Sequence, residues 1–229
     1  NLFGFDLVTP ENEKPQISPI PAEMDDGTEL PVGGRVGYTY ETDRKYRNEH
    51  QLISQYRSIS FYPEADAAID DIVNEAFVVE HERAPITIRL DTLNTDTRIK
   101  KIIRDEFKNV LHFLKFQKKS YDMFRQWYVD GRLFYQVIID KKNPKQGIVE
   151  LRPIDALKIK RVVKPEYEKD KVTGIPVLVK VNEWFEYAPD KNMNSSAKLS
   201  KDSVVFAPSG LLDRNRGMIV GYLDKAIKP

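Results

Sequence analysis

Apolar positions in the first half of this chain recur at three- and four-residue steps, and after Gly131 the pattern changes to short alternating runs. Helical spacing begins near Thr42, where Leu52, Ile53, Tyr56 and Ile59 share one face. Pro63 suits the first turn of a second helix, with Glu64 and Asp66 at the positive end of its dipole. Behind it, Ala65, Ala68, Ile69, Ile72, Val73, Ala76 and Phe77 form an apolar stripe on an acidic helix. The run ITIRLD, residues 86–91, alternates as a half-buried strand does. The polar NTDT at 94–97 offers capping side chains to the clearest helix. In that helix Ile99, Ile102, Ile103, Phe107, Val110, Leu111 and Leu114 keep helical spacing. After a break near Phe116–Lys118, a further stripe runs through Ser120, Met123, Phe124, Trp127 and Tyr128.

The stretch QWYVDGRLFYQVIID, residues 126–140, is a joint between two kinds of structure. Trp127 and Tyr128 continue the spacing of Met123 and Phe124, which makes them core-facing anchors, and Gly131 stands where a left-handed residue ends a helix. RLFYQVIID then reads as a strand, DKKNPKQG as a turn and IVELRPID as the hairpin partner. ALKIKRVVKP, VLVKVNEWFEY and KDSVVFAPSG read as further short strands. The fold class is therefore α+β, with amphipathic helices followed by a mostly antiparallel sheet.

Five of the 14 prolines (Pro10, Pro15, Pro19, Pro21 and Pro31) and the cluster Gly33, Gly34 and Gly37 set residues 1–40 apart as an extended N-terminal arm. A disordered arm fits the same composition. Residues 41–218 form the α+β domain, and 219–229 carry the apolar pattern of a helix start. The chain has 229 residues, no initiator Met and no secretory start in NLFGFDLVTP, and it reads as an excerpt of a longer protein. No apolar run approaches the roughly 18–20 residues of a membrane span.

Cysteine is absent, which excludes disulfide frameworks and thiolate zinc sites and suits a reducing compartment. Net charge is +1, against the basic excess usual in a protein that grips nucleic acid through its phosphates. His50, His81 and His112 stand in no metal-ligand spacing. Asp66, Asp70, Asp71 and Glu75 fall at helical spacing. They are compatible with a divalent-metal carboxylate site, but equally describe the solvated or partner-facing side of an amphipathic helix. Asp25-Asp26-Gly27 lacks the rest of a calcium loop. FAPSGL, with Ser209 and Gly210, is no nucleophile elbow, and GGRVG at 33–37 is neither a P-loop nor a dinucleotide fingerprint. The basic and aromatic residues of LKFQKKSYDMFRQWY would suit base stacking, yet the aromatics share a face better used in a core. No catalytic, cofactor-binding or metal site is expected.

Several stretches together resemble the portal vertex proteins of large contractile-tailed bacteriophages. They are AAIDDIVNEA (67–76), RIKKIIRDEF (98–107), FRQWYVDGRLFYQVIID (124–140), NPKQGIVELRPID (143–155), VVFAPSGLLD (204–213) and IVGYLDKAIKP (219–229). They follow the family's order over about 40–229, and residues 1–40 match weakly. The resemblance implies a homo-oligomeric, dodecameric ring at one capsid vertex of the virion, assembled in the host cytoplasm. It implies contacts with the major capsid protein and scaffold and with the large subunit of terminase. Head–tail connector or neck proteins and double-stranded DNA passing through the channel are implied too, and no cofactor. The portion present would be mainly the outer wing, with 219–229 leading toward a stem and with clip and crown beyond Pro229. A different head–tail adaptor or tail protein, or a metal-dependent nucleic-acid enzyme using Asp66, Asp70 and Glu75, are the other classes to weigh.

A ring closes through head-to-tail contacts between different patches. Residues 41–82 hold ten acids against four bases, and residues 97–132 hold ten bases against four acids. Asp66, Asp70 and Asp71 on one helix and Lys100, Lys101 and Arg104 on another are candidate inter-subunit contacts. Pairing of the two blocks within one subunit, or simple solvation, is the competing arrangement.

Overall fold

The computed structural model describes residues 49–77, 86–169, 171, 174, 176–189, 196–213 and 218–227, and its architecture is α+β. The arm, the helix start near Thr42, His81, Asp25–Gly27 and the glycine run at 33–37 lie outside the described residues. Among those described, four α-helices come first: α1 (49–59), α2 (Pro63–Ala76), α3 (Thr97–Phe113) and α4 (Phe116–Asp130). The strands follow: β1 (Arg132–Ile139), β2 (Ile148–Ile154), β3 (Ile159–Lys169), β4 (Pro176–Tyr187), β5 (Ala197–Ser200), β6 (Val204–Pro208), β7 (Leu212–Asp213) and β8 (Met218–Ile219).

Local chemistry sets the helix limits. Pro63 occupies the first turn of α2, where its missing N–H costs no hydrogen bond, and Glu64 and Asp66 lie at the same positive end. The Asp96 carboxylate accepts from the Arg98 N–H at 3.3 Å and caps α3. Lys115 takes a left-handed conformation, φ 52°, and separates α3 from α4. The break thus falls just ahead of Phe116, and Phe116–Lys118 already belong to the next helix. Gly131, at φ 71°, ends α4 with its N–H on the Trp127 carbonyl.

All strand pairs among the described residues are antiparallel. β1 is central in a sheet of order β2-β1-β6, with Phe134 opposite Ile154 on one side and Phe206 on the other. β3, β4 and β5 form a second sheet, and β7 with β8 a two-stranded ribbon. Two apolar clusters result, and α1 stands between them. Leu52 and Tyr56 enter a helical cluster with Ile69, Val73, Val129, Met218 and Leu223. Ile53, on the neighbouring side of the same helix, enters the sheet cluster with Phe134, Ile159, Phe185 and Val204.

Two expectations are corrected. Residues 86–90 form no strand, because no strand among the described residues ladders with them; Ile86 and Ile88 line a groove beside α3 instead. The end of the chain is not an α-helix from 219. Met218–Ile219 pair with Leu212–Asp213, and a 3-10 helix follows at Tyr222–Ala226. Backbone pairing on both sides of Gly221 explains this: Val220 donates to the Leu211 carbonyl, and Gly221 accepts from Asp224.

Candidate functional site

The joint between α4 and β1 is held from α1 by ion pairs. Arg57 donates through Nε and Nη2 to both carboxylate oxygens of Asp130, at 2.9 and 2.7 Å, and through Nη2 to Asp155 at 2.8 Å. The Asp130 side chain is 1% exposed, so the bidentate partner is what makes its charge tolerable there. One residue past the glycine, Arg132 meets Glu49 of α1 at 3.0 Å and donates to the Ile219 carbonyl at 2.6 Å. Tyr56 donates to Asp224 at 2.8 Å; burial, then that hydrogen bond, pushes its phenol well above the usual range. Helix, sheet and C-terminal segment therefore converge on one face of α1.

Trp127 and Tyr128 lie at this joint but only partly buried; the fully buried residues of α4 are Val129 and Asp130. The Trp127 indole N–H donates to the Pro208 carbonyl at 3.2 Å, and its ring packs on Phe124 and Tyr222 at 5.6 and 5.3 Å. Tyr128 stacks on Tyr222 at 4.8 Å. They bridge α4 to the last described segment rather than fill the centre of a core.

The acidic helix is divided between two faces. Asp66 and Asp70 of α2 both accept from Arg125 of α4, Asp70 at 2.5 Å, and Tyr121 donates to Asp70 at 2.7 Å. These two candidates for an inter-subunit contact thus pair within the subunit. Asp71, Lys101 and Arg104 are exposed and Lys100 is half-buried; none of the four forms an ion pair among the described residues. Glu75 faces away from Asp66 and Asp70, and no group of three acids or histidines among the described residues is placed to hold a metal. Ser209 donates to the Val220 carbonyl at 2.6 Å and accepts from Leu211 at 3.1 Å, so it braces a turn. No described helix is long and apolar enough to cross a membrane.

α3 is the exception to the packing elsewhere. It is strongly amphipathic, yet none of its 17 residues is fully buried. A groove of about 750 Å³ opens between its C-terminal half, residues 86–88 and the first turn of α4. Its apolar lining includes Phe107, Leu111 and Phe116, and among the described residues Arg104, Lys108, Lys115 and Lys118 line it with no carboxylate.

Sequence reasoning missed the Arg57–Asp130–Asp155 cluster and the role of Arg125. The readable signal was a charge at core spacing: Arg57 lies four residues after Ile53, and Asp130 adjoins Val129. The distant partners come together only through the fold.

Residues 49–229 match the family model described as bacteriophage T4-like portal protein (Gp20). The portal protein of Vibrio phage KVP40 is 36% identical over 195 residues, covering 78% of this chain and 37% of that protein. The portal protein of Salmonella phage ViI is 30% identical over 229 residues, covering 90% of this chain and 40% of that protein. The chain spans about two-fifths of the length of these curated relatives.

Proposed function

Since the chain belongs to the family of bacteriophage T4-like portal proteins, we propose that it is the wing-bearing part of a structural portal subunit. On this reading the subunits form a dodecameric ring at one capsid vertex of the virion. Double-stranded DNA passes through the ring during packaging and ejection. The large terminase subunit docks on it first and the tail connector later, with capsid protein and scaffold around it. The ATP-driven step belongs to the motor, and the chain carries no reaction of its own.

The observation that supports this best is the open seam of α3. Ile102 is 53% exposed and Ile99 and Val110 nearly 40%, on a helix whose periodicity is built for burial. Lateral neighbours in a ring would cover such a seam. The balanced charge fits a conduit too, since every strong phosphate contact would have to break as DNA moves.

Negative-stain imaging of the purified protein tests the reading. Twelve-fold rings with an open channel are expected. Monomers at every concentration would overturn it, and rings that never engage terminase would favour a head–tail adaptor. Magnesium-dependent DNA cleavage that disappears with Asp66→Ala, Asp70→Ala or Glu75→Ala would favour an enzyme.

A further inference from the structure

α2 and the groove beside α3 carry complementary lines of residues. On α2, Glu64, Ala68, Asp71 and Glu75 recur at four-, three- and four-residue steps, all exposed, with Ile72 alongside. This face is opposite the one that buries Ile69 and Val73 and pairs Asp66 and Asp70 with Arg125. Its three carboxylates form no ion pair among the described residues. Arg104, Lys108 and Lys115 cover the same number of residues along the groove. At 1.5 Å per residue the α2 line is about 16 Å long, while Arg104 and Lys108 lie one turn apart on α3 and Lys115 follows at the break before α4. Lys108 has an exposed partner, Asp105, at 3.6 Å within α3, a pairing weak enough to exchange.

We propose that the outer face of α2 on one subunit seats in the α3 groove of a second copy. Ala68 and Ile72 then cover Phe107 and Leu111, and Glu64, Asp71 and Glu75 meet Arg104, Lys108 and Lys115. The inference rests on the ring reading above and names one pair of surfaces in the contact; Ile99, Ile102 and Val110 lie outside the groove lining and belong to another part of the interface. Within one subunit the α2 line is exposed, so it does not fill its own groove. The contact joins two different patches, which propagates around a ring, whereas a two-fold α3–α3 or α2–α2 pairing would set like charges together. Compared with the charge blocks read from sequence, Asp71 and Arg104 keep their roles. The acids shift to Glu64 and Glu75, because Arg125 already holds Asp66 and Asp70.

The absence of native cysteine allows a direct test. Ala68→Cys and His112→Cys mark the two faces at exposed positions without removing any of the paired charges. Full chains carrying one substitution each are mixed at a concentration where the protein self-associates and treated with a short bismaleimide. A mixed cross-linked dimer is expected. Adding Arg104→Glu and Lys108→Glu to the His112→Cys chain should abolish it, and Asp71→Lys with Glu75→Lys on the Ala68→Cys chain should restore it. Raising salt from about 0.1 M to about 1 M, which shortens the screening length from about 10 Å to about 3 Å, should weaken association roughly ten-fold. Oligomers that give no mixed product, or a product indifferent to charge reversal, would overturn this surface and leave the ring reading standing. A protein monomeric at every concentration would overturn both. Because the cross-link itself needs no charge reversal, a misfolded reversal variant does not shield the proposal.

Discussion

Gly131 and Gly221 meet backbone to backbone. A methyl group on Gly131 would stand 2.7 Å from the Gly221 α-carbon, and one on Gly221 would stand 3.0 Å from the Val129 carbonyl oxygen and 3.1 Å from the Tyr56 ring. The contact lets the end of α4 lie directly under the last described segment. Two bonds keep it there: Ser209 donates its N–H to the Gly131 carbonyl at 2.8 Å and its hydroxyl to Val220.

Gly131→Ala should therefore destabilise the protein by about 3 kcal/mol, combining roughly 1–2 for a left-handed alanine with roughly 1–3 for overpacking. Gly210 is the control: its φ is 77°, but nothing lies within 4 Å of a methyl group there, so only the backbone strain of roughly 1–2 kcal/mol should appear. Urea unfolding of the two variants separates the terms. Equal losses would mean that the close approach contributes nothing.

Arg57→Ala should cost about 3 kcal/mol or more, because it strands the Asp130 carboxylate, whose side chain is 1% exposed. Asp130→Asn made together with Arg57→Ala should recover part of that loss, since an amide is cheaper to bury than an unpaired charge. A double-mutant cycle by chemical denaturation measures it, and strictly additive losses would show that the two side chains are not coupled.

The order of helices and strands was legible because it depends on local spacing. The step of three and four through Ile69 and Val73, the proline at 63 and the glycine at 131 each act within one turn of chain. The hairpin of β1 and β2 was readable for the same reason, with its turn residues between two apolar runs. What failed was non-local. Residues 86–90 have a strand's alternation but no partner to ladder with, and the apolar residues from Ile219 onward are held by pairing to Leu211 and Leu212. The candidate contact was half legible: the opposite charge blocks were visible in composition, but not which acids Arg125 would take.

Trp127→Ala should cost about 2 kcal/mol, below the 3–5 kcal/mol of a fully buried large aromatic, since the indole is partly exposed. The loss comprises one hydrogen bond to Pro208 and the contacts with Phe124 and Tyr222. Phe134→Ala, at a position 4% exposed in the sheet cluster, should cost more. Thermal unfolding of both variants ranks them, and the reverse order would place the structural anchor at Trp127 after all.

Stability should fall at both ends of the pH range, for different groups. Burial alone would raise Asp155 and Glu183, but their hydrogen bonds outweigh it. Arg57 and the Leu157 N–H hold Asp155 below the usual carboxylate range, and Lys201 and Arg161 do the same for Glu183. A lowered folded value means that the unfolded chain takes up protons first. The contribution is complete above about pH 4, the ordinary carboxylate value, and is lost as pH drops through the lowered folded values. Tyr56 has the opposite sign: its folded value is raised, so its contribution is complete below about pH 10 and fades as pH climbs above it, while only the unfolded phenol ionises. Denaturation midpoints measured across this range should show both limbs. Asp155→Asn should flatten the acid limb and Tyr56→Phe the alkaline one, each leaving the other unchanged. An acid limb that survives Asp155→Asn and Glu183→Gln together would assign acid unfolding to other carboxylates.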